Sequence, residues 1–189
     1  MKKIQAINSP SPHKLNTPLV FTNGEKLYKK LAKTYVAHKK GFFILAPSGS
    51  GKTYFIQHQK IKHWLDGDEL WQLTGAHPAC AWWTMGLDVI HEVDQRSDVI
   101  TAQAKKLGFW IIGASNFWLK PDAIVIPPWH IQKKYICLRE KDHYDGGATS
   151  KDYKQVLSHR KEIMQYAKQG VPKFESIDEA AQFLNKKNK

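Results

Sequence analysis

Two hydrophobic signatures alternate along the chain. Unbroken apolar runs lie within 42–45, 108–115 and 122–128, mixed strand-like segments span 61–70 and 171–175, and between them apolar residues recur at every third or fourth position. The unbroken runs suit strands buried on both faces, and the longer spacing suits helices with one apolar stripe. Leu27, Leu31 and Tyr35 mark a first helix with Asn23 as its N-cap, and Gly41 ends that segment. Phe55 and Ile56 mark a short helix over 53–59; Ile90, Val93, Ile100, Ala104 and Leu107 mark one over 88–107, leaving His91, Asp94 and Arg96 off the stripe. Thr149 and Asp152 have capping-box spacing ahead of a helix carrying Tyr153, Val156, Leu157, Met164 and Ala167, closed by Gly170 and Pro172. Ser176 to Glu179 repeats that spacing before a last helix, and residues 19–21 are a candidate extra strand. The alternation predicts an α/β fold: three layers, a mostly parallel five-stranded sheet, helices on both faces.

The first strong run breaks into Ala46-Pro47-Ser48-Gly49-Ser50-Gly51-Lys52-Thr53. Gly49 and Gly51 can take backbone angles closed to other residues and turn successive N–H groups inward around an anion. The following helix would add the partial positive charge of its N-terminus. Lys52 would reach terminal phosphates and the Thr53 hydroxyl would hold Mg²⁺. Ala46 stands where the strict pattern has glycine. Pro47, Ser48, Gly49, Ser50, Gly51, Lys52 and Thr53 are therefore the expected nucleotide-phosphate-binding residues.

The run at 61–70 contains Asp66-Gly67-Asp68. Ligands of open α/β sheets bind beyond the carboxyl ends of the strands, so both carboxylates would point into the crevice beside the loop. Two residues apart on extended chain, they would share a face: one would hold Mg²⁺ and the other would accept a hydrogen bond from a substrate hydroxyl. An Asp-Gly turn with solvated acids is the alternative. All seven tryptophans fall between 64 and 129, and the pair Trp82 and Trp83 suits either a stacking platform or core packing. The small residues after the 108–112 run, Gly113-Ala114-Ser115, would let a ligand approach the backbone.

The net charge of +12 is uneven: residues 1–40 hold nine lysines and one acid, Glu25, and residues 186–189 three more lysines. The body between is nearly neutral. The lysine face of the first helix either rests on nucleic-acid phosphates or is simply solvated. Pro10, Pro12 and Pro18 mark an extended arm. The expected organisation is a basic arm and helix at 1–40, a catalytic domain at 41–185 and a basic tail at 186–189. Arg96, Arg139 and Arg160 are the only arginines, so each is a candidate for phosphate or carboxylate, with a structural ion pair as the alternative. Cys80 and Cys137 are too few for a disulfide framework or, with His77, a zinc site. No apolar stretch reads as a signal or membrane span, so a reducing, cytoplasmic setting without a membrane partner is expected.

The loop, the helix after it and the Leu-Asp-Gly-Asp sequence at a strand end resemble the P-loop kinases of small molecules, the adenylate-kinase-like group with gluconate, shikimate and adenylylsulfate kinases. The resemblance implies ATP and Mg²⁺ as cofactors and Asp66 as hydroxyl base or magnesium partner. It places the acceptor region within 71–96, with Trp82, Trp83 and Arg96 as its residues. It also implies a lid at about 129–160, whose Arg139 and Arg160 close over the phosphates. Lys52, Asp66, Asp68, Arg139 and Arg160 are then the catalytic set, and Thr53 and Asp68 the metal ligands. Motor ATPases and helicases need an apolar strand ending in acid, and GTP switches need an Asn-Lys-x-Asp reader; neither occurs, and Asp88 reads as a helix start. The expected activity is phosphorylation of a nucleoside or nucleotide. Its rivals are a kinase of DNA or RNA ends or modified bases, held by the lysine-rich 1–40 segment, and a nucleotide-dependent binding module.

Overall fold

The computed structural model describes residues 25–78, 82–142 and 147–188. The expected arm, Asn23, the candidate strand at 19–21 and Cys80 lie outside them. The elements run α1 (Glu25–Thr34), β1 (Phe42–Leu45), α2 (Lys52–Gln57), β2 (Trp64–Asp66), α3 (Gly67–Leu73), α4 (Leu87–Lys106), β3 (Trp110–Gly113), β4 (Ala123–Val125), α5 (Trp129–Lys141), α6 (Tyr153–Lys168), β5 (Lys173–Phe174) and α7 (Ile177–Lys187). Short 3-10 turns sit at Trp82–Thr84 and Ser150–Asp152.

The five strands form one parallel sheet in the order β2-β3-β1-β4-β5. Successive side chains of a strand face opposite ways, so β1 feeds two cores at once. Phe43 and Leu45 pack with Leu31 of α1 and Tyr35 just after it, Leu70 and Trp71 of α3, Ile100 and Ala104 of α4 and Ile163 of α6. Phe42 and Ile44 pack with Ile56 of α2 and Ile177, Ala180 and Leu184 of α7. The result is a three-layer α/β fold with helices on both faces. All four β1 residues are buried, which explains the unbroken apolar run.

The carboxyl end of β1 lies between those of β3 and β4, so the loop after it opens where neighbouring connections diverge, the usual place for a ligand crevice. The β3-to-β4 crossover, residues 114–122, contains no helix. It returns across the sheet face that carries α4 and α6, with Leu119 packed on that core.

Candidate functional site

The loop after β1 adopts a conformation only glycine permits easily at two points: Gly49 has φ 75° and Gly51 φ 89°. At Gly49 a Cβ would also stand 2.5 Å from Ile136 Cγ1 of α5, so the loop and α5 are fitted together. Lys52 is buried, and its Nζ donates to the carbonyl oxygens of Ala46 at 3.3 Å and Pro47 at 3.1 Å. Its ammonium therefore crosses the concave side of the loop. Burial lowers its pKa, opposed by the nearby charges of Asp68 and Asp66 and assisted by Arg139. Ser50 Oγ is buried without a hydrogen-bond partner, an orphaned polar atom inside the cradle. Thr53, half-buried, lies in the first turn of α2, which is only six residues long.

Asp66 and Asp68 do not sit together on extended chain as the sequence pattern suggested. The strand stops at Asp66, which caps α3 and accepts a hydrogen bond from the backbone N–H of Asp68 at 3.0 Å. The chain turns helical at Gly67 because this cap satisfies a backbone donor at the helix start. Both carboxylates still influence Lys52. Burial, then the Asp68 charge, pushes the Asp66 carboxyl up to about 6 despite Lys52 and the Asp68 N–H.

The small residues at the end of β3 serve packing. A Cβ at Gly113 would meet the Trp71 ring at 2.1 Å, and one at Gly67 would meet it at 2.8 Å, so the gap is filled by indole and not reserved for a ligand. The indole is fixed by donating to Thr101 Oγ1 at 3.0 Å. Trp82 is buried edge-on to His77, with ring centroids 4.9 Å apart, so it is a wall and not an open platform; Trp83 stands beside it, half-buried. His77 approaches Ser97 Oγ at 3.0 Å, and burial takes its pKa down to about 4, with Asp68 opposing. His77 is thus neutral at pH 7.

The two expected lid arginines have different positions. Arg139, near the end of α5, donates to Ser48 Oγ at 3.3 Å and also to the carbonyl of Ala148. The Ala148 N–H donates to the same Ser48 oxygen at 3.1 Å. Arg160, on α6, instead donates to Pro127 O at 2.9 Å and to Gln132 Oε1, over the Trp129 ring. It reaches the loop only through Gln132, whose amide donates to Ser48 O at 2.6 Å. The expected lid segment begins as a helix, Trp129–Lys141, with Gln132 and Ile136 buried.

Arg96 belongs to the packed side of α4. It is buried and donates to Glu92 at 2.9 Å on its own helix. The buried stripe is Val93, Ser97, Ile100, Thr101 and Ala104, while Leu107 is exposed. Ser97 and Thr101 are tolerated there because their hydroxyls donate to the carbonyls of Val93 and Ser97, at 2.8 and 2.7 Å.

The site also contains groups absent from the expected set. Asp94, off the stripe as the spacing indicated, hydrogen-bonds to Ser115 at the end of β3; burial, then the charges of Asp98 and Glu162, pushes its carboxyl up to about 8 against that bond. His159 on α6 hydrogen-bonds to the backbone of Ala114, and burial, then the charge of Lys52, takes it down to about 4. Sequence offered a signal for Asp94, off the stripe, and for Ser115 only as one of the small residues after the 108–112 run. His159 and Ser115 reach the crevice through the folding of α6 and the crossover.

Among the described residues no three His, Cys, Asp or Glu side chains converge as a metal-ligand group. Thr53 and Asp68 supply hard oxygens near the loop, a donor set that suits Mg²⁺, which keeps several waters and takes further ligands from phosphates. Comparison of the chain with protein-family models, with curated proteins and with solved structures gives no match. Among the described residues no helix is long and apolar enough to cross a membrane.

Proposed function

We propose that the protein is an ATP-dependent phosphotransferase of P-loop kinase type, acting on the hydroxyl or phosphate of a nucleoside or nucleotide. The observation that carries this reading is the meeting of Lys52, on the concave side of the glycine loop, with Asp66 and Asp68 from the end of β2. A loop turned by positive φ at Gly49 and Gly51, an orphaned Ser50 hydroxyl and a buried lysine support a cradle for phosphate oxygens. Asp66, with a carboxyl near 6, is ionised at pH 7 yet basic enough to take a proton.

In the transfer, the acceptor oxygen bonds to the terminal phosphorus, the bridging oxygen to ADP leaves, and the acceptor proton passes to Asp66. Lys52 and Arg139 balance the charge spread over the transferring group. Gln132 and Ala148 hold the lid against Ser48 and exclude water. Mg²⁺, held by Thr53 and Asp68, would neutralise phosphate charge. Arg160 supports this arrangement through Gln132 and is a positioning residue. The test is transfer of labelled phosphate from ATP to a panel of acceptors.

A further inference from the structure

A second charged feature lies at the opposite edge of the sheet. A cavity of about 380 Å³ is lined by Lys39, Lys40, Lys105, Lys106, Ala102 and Leu119. Lys40 leads into β1 and Lys105 and Lys106 close α4, so the cavity opens at the amino edge, away from the phosphate loop. Lys105 is held by Asp122 at 2.6 Å, while Lys39, Lys40 and Lys106 are exposed.

The helix-free crossover joins this cavity to the crevice. It runs beside α4: Ser115 bonds to Asp94, Phe117 packs on His91 with ring centroids 5.0 Å apart, and Leu119 and Ala102 share the cavity wall. Asp98 Oδ2 fixes its middle by accepting the N–H groups of Phe117, Trp118 and Leu119, at 2.8, 2.5 and 2.9 Å. That clamp holds up two large aromatic side chains, Phe117 and Trp118, 47% and 48% exposed. From Asp94 to Lys105 the helix spans about 16 Å.

A basic cleft whose wall residue, Leu119, follows two exposed aromatic side chains in the chain is a combination suited to single-stranded nucleic acid, phosphates on the cations and bases on the rings. Most acids beside the track are neutralised: Asp98 is buried under three N–H donors, Asp122 is paired, and Asp94 holds its proton at pH 7, leaving Glu162 of α6 as the exposed carboxylate at the Asp94 end. We propose that the surface running from the lysine-lined cavity onto the 114–122 crossover binds a single-stranded polynucleotide, with Lys39, Lys40 and Lys106 on its phosphates and Trp118 and Phe117 under its bases. The inference stands apart from phosphate transfer, since it concerns another edge of the molecule.

The experiment is fluorescence anisotropy of a labelled oligothymidylate and of a labelled duplex of equal length with the full chain, in the absence of ATP, over a salt series. The single strand binds more tightly than the duplex at low salt. Trp118→Ala weakens it about tenfold. The double variant Lys39→Ala/Lys106→Ala lowers the slope of log affinity against log salt by about 1.4. Because all three side chains are exposed, both variants keep the wild-type melting temperature. Absence of single-strand binding at low salt, preference for duplex, or binding unchanged in both variants overturns the proposal. Capture by phosphatidylserine vesicles without oligonucleotide binding also overturns it, assigning the lysines to an anionic membrane surface.

Discussion

Arg139 Nη2 lies 3.3 Å from Ser48 Oγ, so the guanidinium at the end of α5 is tied to the loop that follows β1. The Ala148 N–H shares that oxygen, and a Cβ at Gly147 would stand 2.7 Å from Arg139 Nη1. The planar fork is thus enclosed by backbone. Arg139→Ala is expected to lower turnover about 100- to 1,000-fold, the usual cost of removing one preorganised donor from a developing charge. Arg139→Lys recovers less than a tenth of the loss, because an ammonium cannot reproduce the fork. Steady-state kinetics with ATP and an accepted substrate check this; a lysine variant with wild-type turnover would show that charge alone suffices.

Asp66 is expected to give the proposed reaction its acid limb. Its carboxyl titrates at about 6, so kcat/KM is expected to fall as pH drops through 6. Asp66→Asn should keep ATP binding, lose about 100- to 10,000-fold in turnover and flatten that limb. The pH profile of the variant decides: an acid limb left at 6 would belong to another group.

Asp94 is expected to control stability. Its carboxyl ionises at about 8 in the folded protein against an ordinary value of 3.8. Between those values the folded state binds the proton more tightly than the unfolded chain, so stability falls as pH rises from about 4 to about 8. Asp94→Asn removes this loss while keeping an acceptor for Ser115. Thermal melts should show no gap between variant and wild type at pH 4 and a gap of several degrees in favour of the variant at pH 8. An equal gap at both pH values would contradict the assignment.

Gly113→Ala forces a methyl into the Trp71 ring, where the closest approach is 2.1 Å. Overpacking of this kind costs about 1–3 kcal/mol, several degrees of melting temperature for a chain of this size. Calorimetry reads it directly; an unchanged midpoint would mean that the indole gives way freely.

The layers of the fold were legible because strands buried on both faces leave unbroken apolar runs, and β1 is the clearest case. The glycine loop was legible for a related reason: its residue types are dictated by backbone geometry. The errors arose where tertiary contacts override local pattern. Asp68 was read as extended because Asp66 capping its own helix leaves no periodic signature over three residues. Ser97 and Thr101 look polar in sequence yet are buried, since each satisfies its hydroxyl on the preceding turn, and this turned the stripe of α4 and took Arg96 inward. His159 was invisible for lack of any pattern: its place depends on where α6 crosses the end of β3. Arg139 and Arg160 were chosen for rarity, but only the fold separates the one on the loop from the one behind Gln132.

The most direct measurement of the central claim is transfer from γ-labelled ATP to nucleosides, nucleotides, sugars and oligonucleotides by the wild type and by Lys52→Ala. A labelled acceptor is expected with the wild type and none with the variant, whose folding is checked by its melting temperature. ATP binding with no labelled product from any acceptor, or labelling at the wild-type rate by Lys52→Ala, would contradict it.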